Sequence, residues 1–312
     1  MEKVATRDAY GKTLVELGKT NENIVVLDAD LSGSTKTISF KKEFPDRFFN
    51  MGIAEQNLIG TAVGFAAAGK IPFASTFAMF ATGRAFEIIR NSVCYPKMNV
   101  KICATHAGIT VGEDGASHQA LEDIACMRAI PNMTIINPAD SVSTREAVLQ
   151  AARYQGPVYI RLGRAKVPVI YEPSSLQFEI GKGIELEEGK DAAVVATGVM
   201  VAEALKAREF LKEEGIEIKV IDIHTIKPID EELILKAAQQ TGAVVTAEEH
   251  NIIGGLGSAV AELLAEHCPT PMKRIGVKDT FGESGSGEEL MKKYGLTAQD
   301  IVQAVKEVVK MK

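Results

Sequence analysis

Asn50-Met51-Gly52-Ile53-Ala54-Glu55-Gln56-Asn57 is the stretch from which the fold of this chain can be read. Arg47-Phe48-Phe49 before it reads as a short strand. Leu58 to Ala68 after it is a run of apolar and small residues closed by Gly69, a helix terminus. The octapeptide is therefore a strand-to-helix junction, as in an α/β domain. The helix carries almost no charge, so it is expected to be buried on most sides. Gly60 and Gly64, one turn apart, would let another helix approach closely. Glu55 enters the first turn of this helix. It can be read plainly as an acid at the positive end of the helix dipole, or as a buried carboxylate that needs a specific partner.

Gly52-Ile53-Ala54-Glu55-Gln56-Asn57 resembles the segment of the transketolase family that binds the aminopyrimidine of thiamine diphosphate. The resemblance implies that Glu55 hydrogen-bonds the pyrimidine ring nitrogen and favours the tautomer that deprotonates the thiazolium carbon. The cofactor then makes its own carbanion, and the protein supplies one carboxylate and a dry pocket. The likeness runs along nearly all of the chain but matches only the second half of a full-length transketolase.

Composition sets outer bounds. A length of 312 residues suggests two domains. Hydrophobic residues at 46% and charged residues at 24% describe a soluble globular protein with true cores. A net charge of −6 gives no reason to expect nucleic acid. No apolar run is long enough to span a bilayer, and the start, Met-Glu-Lys-Val-Ala-Thr-Arg, lacks a signal-peptide core. Cys94, Cys103, Cys126 and Cys268 have no metal-ligand spacing, so a reduced, cytoplasmic chain without metal ligands of its own is expected.

Polar loops follow the strands in order. A helix is expected over residues 6–18, with Thr6 as N-cap, Gly18 at its end and Arg7 in its first turn, where a cation opposes the dipole. Ile24 to Leu27 reads as a buried strand. It runs into Asp28-Ala29-Asp30-Leu31-Ser32-Gly33-Ser34-Thr35, at the strand end where open α/β sheets place ligands. Ile71 to Ser75 is the next strand. Thr76 then opens a helix on which Phe77 and Phe80 share a face. Val100 to Thr105 precedes the densest polar loop, His106 to Gln119. Its Gly108, Gly112 and Gly115 could bring backbone close to a ligand, and its His106 and His118 could exchange protons near neutral pH. A helix over 119–129, a strand over 133–136, a helix over 141–154 and a strand over 157–162 follow. Arg164 at that last strand's end suits an oxyanion.

The family resemblance assigns roles to these positions. Gly112-Glu113-Asp114-Gly115-Ala116-Ser117-His118-Gln119 resembles the Gly-Glu-Asp-Gly-x-x-His-Gln signature of transketolase and deoxyxylulose phosphate synthase. It implies that Asp114 binds a substrate hydroxyl and His118 the oxygen at the carbonyl end, both beside Glu55 in the chemistry. Thr76-Phe77-x-x-Phe80 resembles the aromatic motif packed on the pyrimidine, so Phe77 and Phe80, with Glu55 and Asp30, are implied to bind cofactor. Arg7, Ser34, His106 and Arg164 correspond to the sugar-phosphate pocket. Gly83 stands where the family usually has Tyr, and Ala107 where it often has Asp.

The organisation implied is two α/β domains. Residues 1–170 form a pyrimidine-binding thiamine-fold domain with a mostly parallel sheet, 171–190 a linker, and 191–312 a transketolase carboxyl-terminal domain. Strands are expected at 193–196, 218–223, 243–247 and 273–277, with a clear helix over 200–213. Gly254-Gly255-Leu256-Gly257-Ser258 opens a helix and reads as tight strand–helix packing in preference to a phosphate loop, and His250 as structural. The family binds Mg²⁺ and diphosphate through a Gly-Asp-Gly stretch, and the dipeptide Gly-Asp occurs nowhere here. The resemblance therefore implies a partner, an amino-terminal transketolase subunit carrying the diphosphate and Mg²⁺ site, in an α2β2 assembly. The implied reaction moves a two-carbon ketol unit from a ketose phosphate to an aldose phosphate. The alternatives are a subunit of another thiamine diphosphate enzyme, such as a deoxyxylulose phosphate synthase-like one, and a non-catalytic module.

Overall fold

The computed structural model describes residues 2–312. A seven-stranded sheet runs in the spatial order Thr225–Lys227, Thr134–Ile136, Val158–Arg161, Lys101–Thr105, Ile71–Phe77, Ile24–Asp28, Phe48–Asn50. Every neighbour pair is parallel except the first. A five-stranded sheet runs Met272–Val277, Val244–Asn251, Ala192–Ala196, Ile218–Asp222, Ile184–Glu187, parallel except at its last strand. The inner strands Ile24–Asp28, Lys101–Thr105, Val158–Arg161, Ala192–Ala196 and Ile218–Asp222 are buried along their whole length. Runs such as Ile24-Val25-Val26-Leu27 permit this, because helices cover both faces of a parallel sheet. The expected α/β class with mostly parallel sheets is what the chain adopts.

The two halves interlock. Thr225–Lys227 leaves the second half to pair antiparallel with Thr134–Ile136 of the first. Within the stretch expected as linker, Ile184–Glu187 pairs with Ile218–Asp222 of the second sheet. A short strand and a crossing edge have no periodicity of their own, so neither shows in the sequence.

Local details differ from expectation for identifiable reasons. Thr6 is the first helical residue, not the cap. Its hydroxyl accepts from Gly163 N at 2.8 Å instead. The helix continues through Gly18 to Thr20, because Gly18 serves close packing: a Cβ there would run into the Phe44 and Phe40 rings. The strand expected to end at Ser75 extends through Phe77. Gln119 does not start a helix. Its side-chain amide donates to Ile109 O, Gly112 O and Glu283 O, and the helix begins at Asp123. The helix Glu55–Ala67 begins where the junction reading requires, but Gln56, Asn57, Gly60 and Gly64 lie exposed in the single chain, so it is buried on one side only.

Candidate active site

Five parallel strands lie side by side in the order Val158–Arg161, Lys101–Thr105, Ile71–Phe77, Ile24–Asp28, Phe48–Asn50. Their carboxyl ends therefore form a row. Arg164 follows the first, His106 the second, Phe77 closes the third, the 28–35 loop follows the fourth, and Glu55 follows the fifth across the junction. This is the crevice where parallel α/β sheets bind ligands.

Glu55 is 2% exposed and receives a 2.9 Å hydrogen bond on Oε2 from Arg84 Nη1. The carboxylate thus has a cation partner within its own chain, as burial of a charge requires. Arg84 closes a π-helical turn, Phe80–Arg84, and its guanidinium lies over the Phe80 ring, 4.9 Å from the centroid. Sequence reading missed Arg84, because an Arg in a helical run carries no signal until the fold sets it against Glu55. Gly83 lies in this turn and leaves its side-chain position to Met79, whose methyl would sit 3.0 Å from a Cβ.

Phe77 is the centre of an aromatic stack. Its ring lies 3.8 Å from that of His106, nearly parallel, and 5.9 Å from that of Phe80. His118 meets Phe80 edge-on at 5.5 Å and receives or gives a 3.0 Å bond at Ser117 Oγ. Phe77, Phe80, His106 and His118 are thereby brought together.

His106 Nε2 lies 3.2 Å from Arg7 Nη1, and its Nδ1 lies 2.9 Å from Thr105 Oγ1. A guanidinium only donates, so Nε2 must accept and Nδ1 carries the proton. Burial, then Arg7 and Arg164, depress the imidazole from 6.5 to about 3. His106 is thus a neutral acceptor that orients Arg7, and the proton exchange expected of it near neutral pH is not available. Arg7 Nη1 also donates to Ser34, at 3.0 Å, but to its carbonyl and not its hydroxyl. Arg7 Nε is buried without a partner.

Arg164 donates to Glu113 Oε2 at 2.7 Å and to Val111 O. Asp114 is exposed beside this pair and close enough to Arg7 to raise its pKa against the pull of burial. Asp30 is exposed and accepts from Asn50 Nδ2 at 2.7 Å. Its loop is fixed from below by Asp28, which accepts from Leu31 N, Thr35 Oγ1 and Thr37 Oγ1 at 2.6–2.9 Å. Burial still leaves the Asp28 carboxyl above its ordinary value. Sequence reading passed over Asp28 because it looks like any other acid of the loop.

The glycines of the 106–119 loop face another part of the chain. A Cβ on Gly108 would fall inside the Glu249 carboxylate; one on Gly112 would lie 3.2 Å from Gly285 O, and one on Gly115 2.6 Å from Ser284 Oγ. Close backbone approach is their purpose, as expected, but the approach is to the second domain. The Gly254–Ser258 turn is likewise satisfied internally. Glu248 accepts from Leu256 N and Gly257 N at 2.7 and 2.8 Å, filling the helix N-terminus that a phosphate would need.

Two family patterns match the chain: the transketolase pyrimidine-binding domain over residues 2–169 and the transketolase C-terminal domain over residues 181–301. The chain belongs to the transketolase family. It is 58% identical over 306 residues to a Methanocaldococcus jannaschii protein named provisionally as a transketolase C-terminal section, covering 97% of this chain and 96% of that one. It is 46% identical to the 6-deoxy-6-sulfo-D-fructose transketolase subunit of Clostridium sp. strain MSTE9, covering 98% and 95%. Among solved structures it resembles a split-gene transketolase in an inactive β4 tetramer, with TM-score 0.93, 60% identity and 99% of each chain covered.

Transketolases use thiamine diphosphate and a divalent metal. The residues present fit the aromatic ring of that cofactor: the buried Glu55 carboxylate is linked through Arg84 to the Phe80 ring, which stacks with Phe77. Among the described residues no three His, Cys, Asp or Glu side chains gather where they could hold a metal ion. Also among them, no helix is long and apolar enough to cross a membrane.

Proposed function

We propose that this chain is the carboxyl-terminal subunit of a split transketolase, moving a two-carbon ketol unit from a ketose phosphate to an aldose phosphate. The observation that carries the reading is the row of strand ends that sets Glu55, Phe77, His106 and Arg164 along one crevice, with Phe80 stacked on Phe77 and Arg7 against His106. Glu55 would hold the pyrimidine ring nitrogen, with Phe77, Phe80 and Asp30 around the ring. Thiamine diphosphate, when bound, would supply the nucleophilic carbon and the electron sink that ketol transfer needs. His118, beside the Phe80 ring, would give a proton toward the donor oxygen, and Asp114 would take a substrate hydroxyl.

The far end of the sugar falls to Arg7 and Arg164. Arg7 has an unpartnered buried Nε, and Arg164 already binds an oxyanion, the carboxylate of exposed Glu113, which a phosphate would replace. Ser34 and His106 serve that grip by holding Arg7 in place. Binding energy from this remote group orients the reacting carbon.

The diphosphate and Mg²⁺ belong to an amino-terminal partner subunit. This is supported by relatives of the same length that are named as a section or a subunit. Rat transketolase supports it too, at 41% identity with this chain matching 49% of its length. The stoichiometry proposed is α2β2 in the cytoplasm, and the inactivity of the β4 neighbour agrees with a need for the partner. Glu55→Ala in the assembled pair tests the reading. Turnover should vanish with assembly intact, and near-normal activity would remove Glu55 from the chemistry.

A further inference from the structure

Glu248-Glu249-His250-Asn251 closes the strand Val244–Asn251 and has no place in the function proposed above. Its first three side chains are all buried. One of them serves local structure, and another ties the strand end to the first domain. Glu248 caps the helix Leu256–His267 as described. His250 Nε2 accepts from Ala125 N at 3.4 Å, in the first turn of the helix Asp123–Arg128.

Glu249 reaches out of its own domain. Its Oε1 accepts from Thr110 N at 2.6 Å, and its carboxylate fills the space that a side chain on Gly108 would need. Its carbonyl accepts from Arg161 Nη2 at 2.9 Å, on the strand that leads to Arg164. Arg161 is itself fixed by a buried 2.8 Å pair with Asp123. On the other side of the same loop, Glu283 O accepts from Gln119 Nε2 at 2.9 Å, and Ser284 and Gly285 close on Gly115 and Gly112. The 108–119 loop is therefore seated between two segments of the carboxyl-terminal domain. Asp114 and His118 project from that loop and have no bond of their own to either segment.

We infer that Glu249 is a positioning residue: through Thr110 N and Gly108 it fixes the loop that presents Asp114 and His118, so that the carboxyl-terminal domain sets the substrate side of the site. The inference rests on the proposed reading of that loop as substrate-binding. A bond from an N–H to a buried carboxylate is among the stronger ones, and deleting the acceptor leaves the Thr110 N–H unpaired beneath the loop. Glutamine keeps an acceptor oxygen in the same place, whereas alanine keeps none.

Hydrogen exchange read by peptide, with Glu249→Ala and Glu249→Gln in the full chain assembled with its partner subunit, tests this. Alanine should speed exchange over residues 108–119 by about tenfold and leave residues 256–267 unchanged, since the loop opens locally. In the same preparations it should lower kcat and raise KM for the donor sugar while leaving thiamine diphosphate affinity unchanged. Glutamine should restore both within about threefold. Unchanged loop exchange in the alanine variant would overturn the inference. So would equal damage by glutamine and alanine with exchange rising alike over 256–267. If the alanine variant does not fold, Glu249→Asp, which withdraws the carboxylate by one methylene, must loosen the loop where glutamine does not. A wild-type pair without ketol transfer would refute the proposed function and leave the exchange result to decide on Glu249.

Discussion

Arg84 Nη1 donates to Glu55 Oε2 at 2.9 Å, joining a half-exposed guanidinium to a carboxylate that is 2% exposed. The pair explains how an acid can be buried at the start of a helix before any cofactor arrives. Arg84→Gln removes the cation and leaves the carboxylate in place. The exposure of Arg84 screens the interaction, so the expected loss of unfolding free energy is about 1 kcal/mol, below that of a fully buried pair. Urea unfolding of the chain measures it. Thiamine diphosphate affinity of the assembled pair should weaken as well, because the carboxylate loses its fixed orientation. Unchanged values for both would mean that Arg84 does nothing for Glu55.

His106 is expected to stay a neutral imidazole with its proton on Nδ1, since Arg7 faces Nε2 and burial holds its pKa at about 3. The unfolded chain takes up a proton at this residue below about 6.5 that the folded chain refuses. Its contribution to stability is therefore complete above that pH and is lost as pH falls toward 3. Ring ¹⁵N shifts followed from pH 8 to pH 5 should stay flat. A titration centred between 6 and 7 would contradict the Arg7 contact.

Arg164→Ala should raise KM for phosphorylated sugars by about ten- to a hundredfold, the worth of one charge-assisted contact, and much less for unphosphorylated analogues. Steady-state kinetics of the assembled pair with matched substrates separates the two. Equal effects on both would mean that Arg164 holds no phosphate and serves only to bind Glu113.

Asp222 sits fully buried at the end of the strand Ile218–Asp222, with Tyr171 OH donating to it at 2.7 Å and its Oδ1 without a partner. Burial pushes its carboxyl from 3.8 up to about 7. Between those values the folded chain keeps a proton that the unfolded chain has lost, so stability falls as pH rises from about 4 through 7. Asp222→Asn should flatten that slope in denaturation measured at pH 5 and pH 8. A slope equal to wild type would place the titration elsewhere.

The candidate site was legible in the sequence to the extent that it follows strand ends. Glu55 after a short strand, His106 and His118 in one glycine-rich loop, and Arg164 after a strand are local patterns. A parallel sheet converts such patterns into neighbours. What the sequence did not disclose depends on contacts between distant segments. Arg84 on Glu55, the Ser34 carbonyl under Arg7 and Glu249 against Gly108 join residues 27 to 141 positions apart. The same limit explains why the loop glycines were assigned to a ligand: glycines in a loop signal that backbone can come close to something, not what approaches. Only the second domain, folded against the loop, answers that.

The central claim is that this chain holds half of a thiamine diphosphate site. The most direct measurement purifies it from its own cells, identifies the chain that co-elutes, and titrates that chain into this one. Ketol transfer between ketose and aldose phosphates is followed with and without thiamine diphosphate and Mg²⁺. The account predicts no activity from either chain alone, and cofactor-dependent transfer that saturates at equimolar subunits. Full ketol transfer by this chain with no second subunit present, or an assembled pair that binds the cofactor equally well when Glu55 is replaced by Ala, would contradict it.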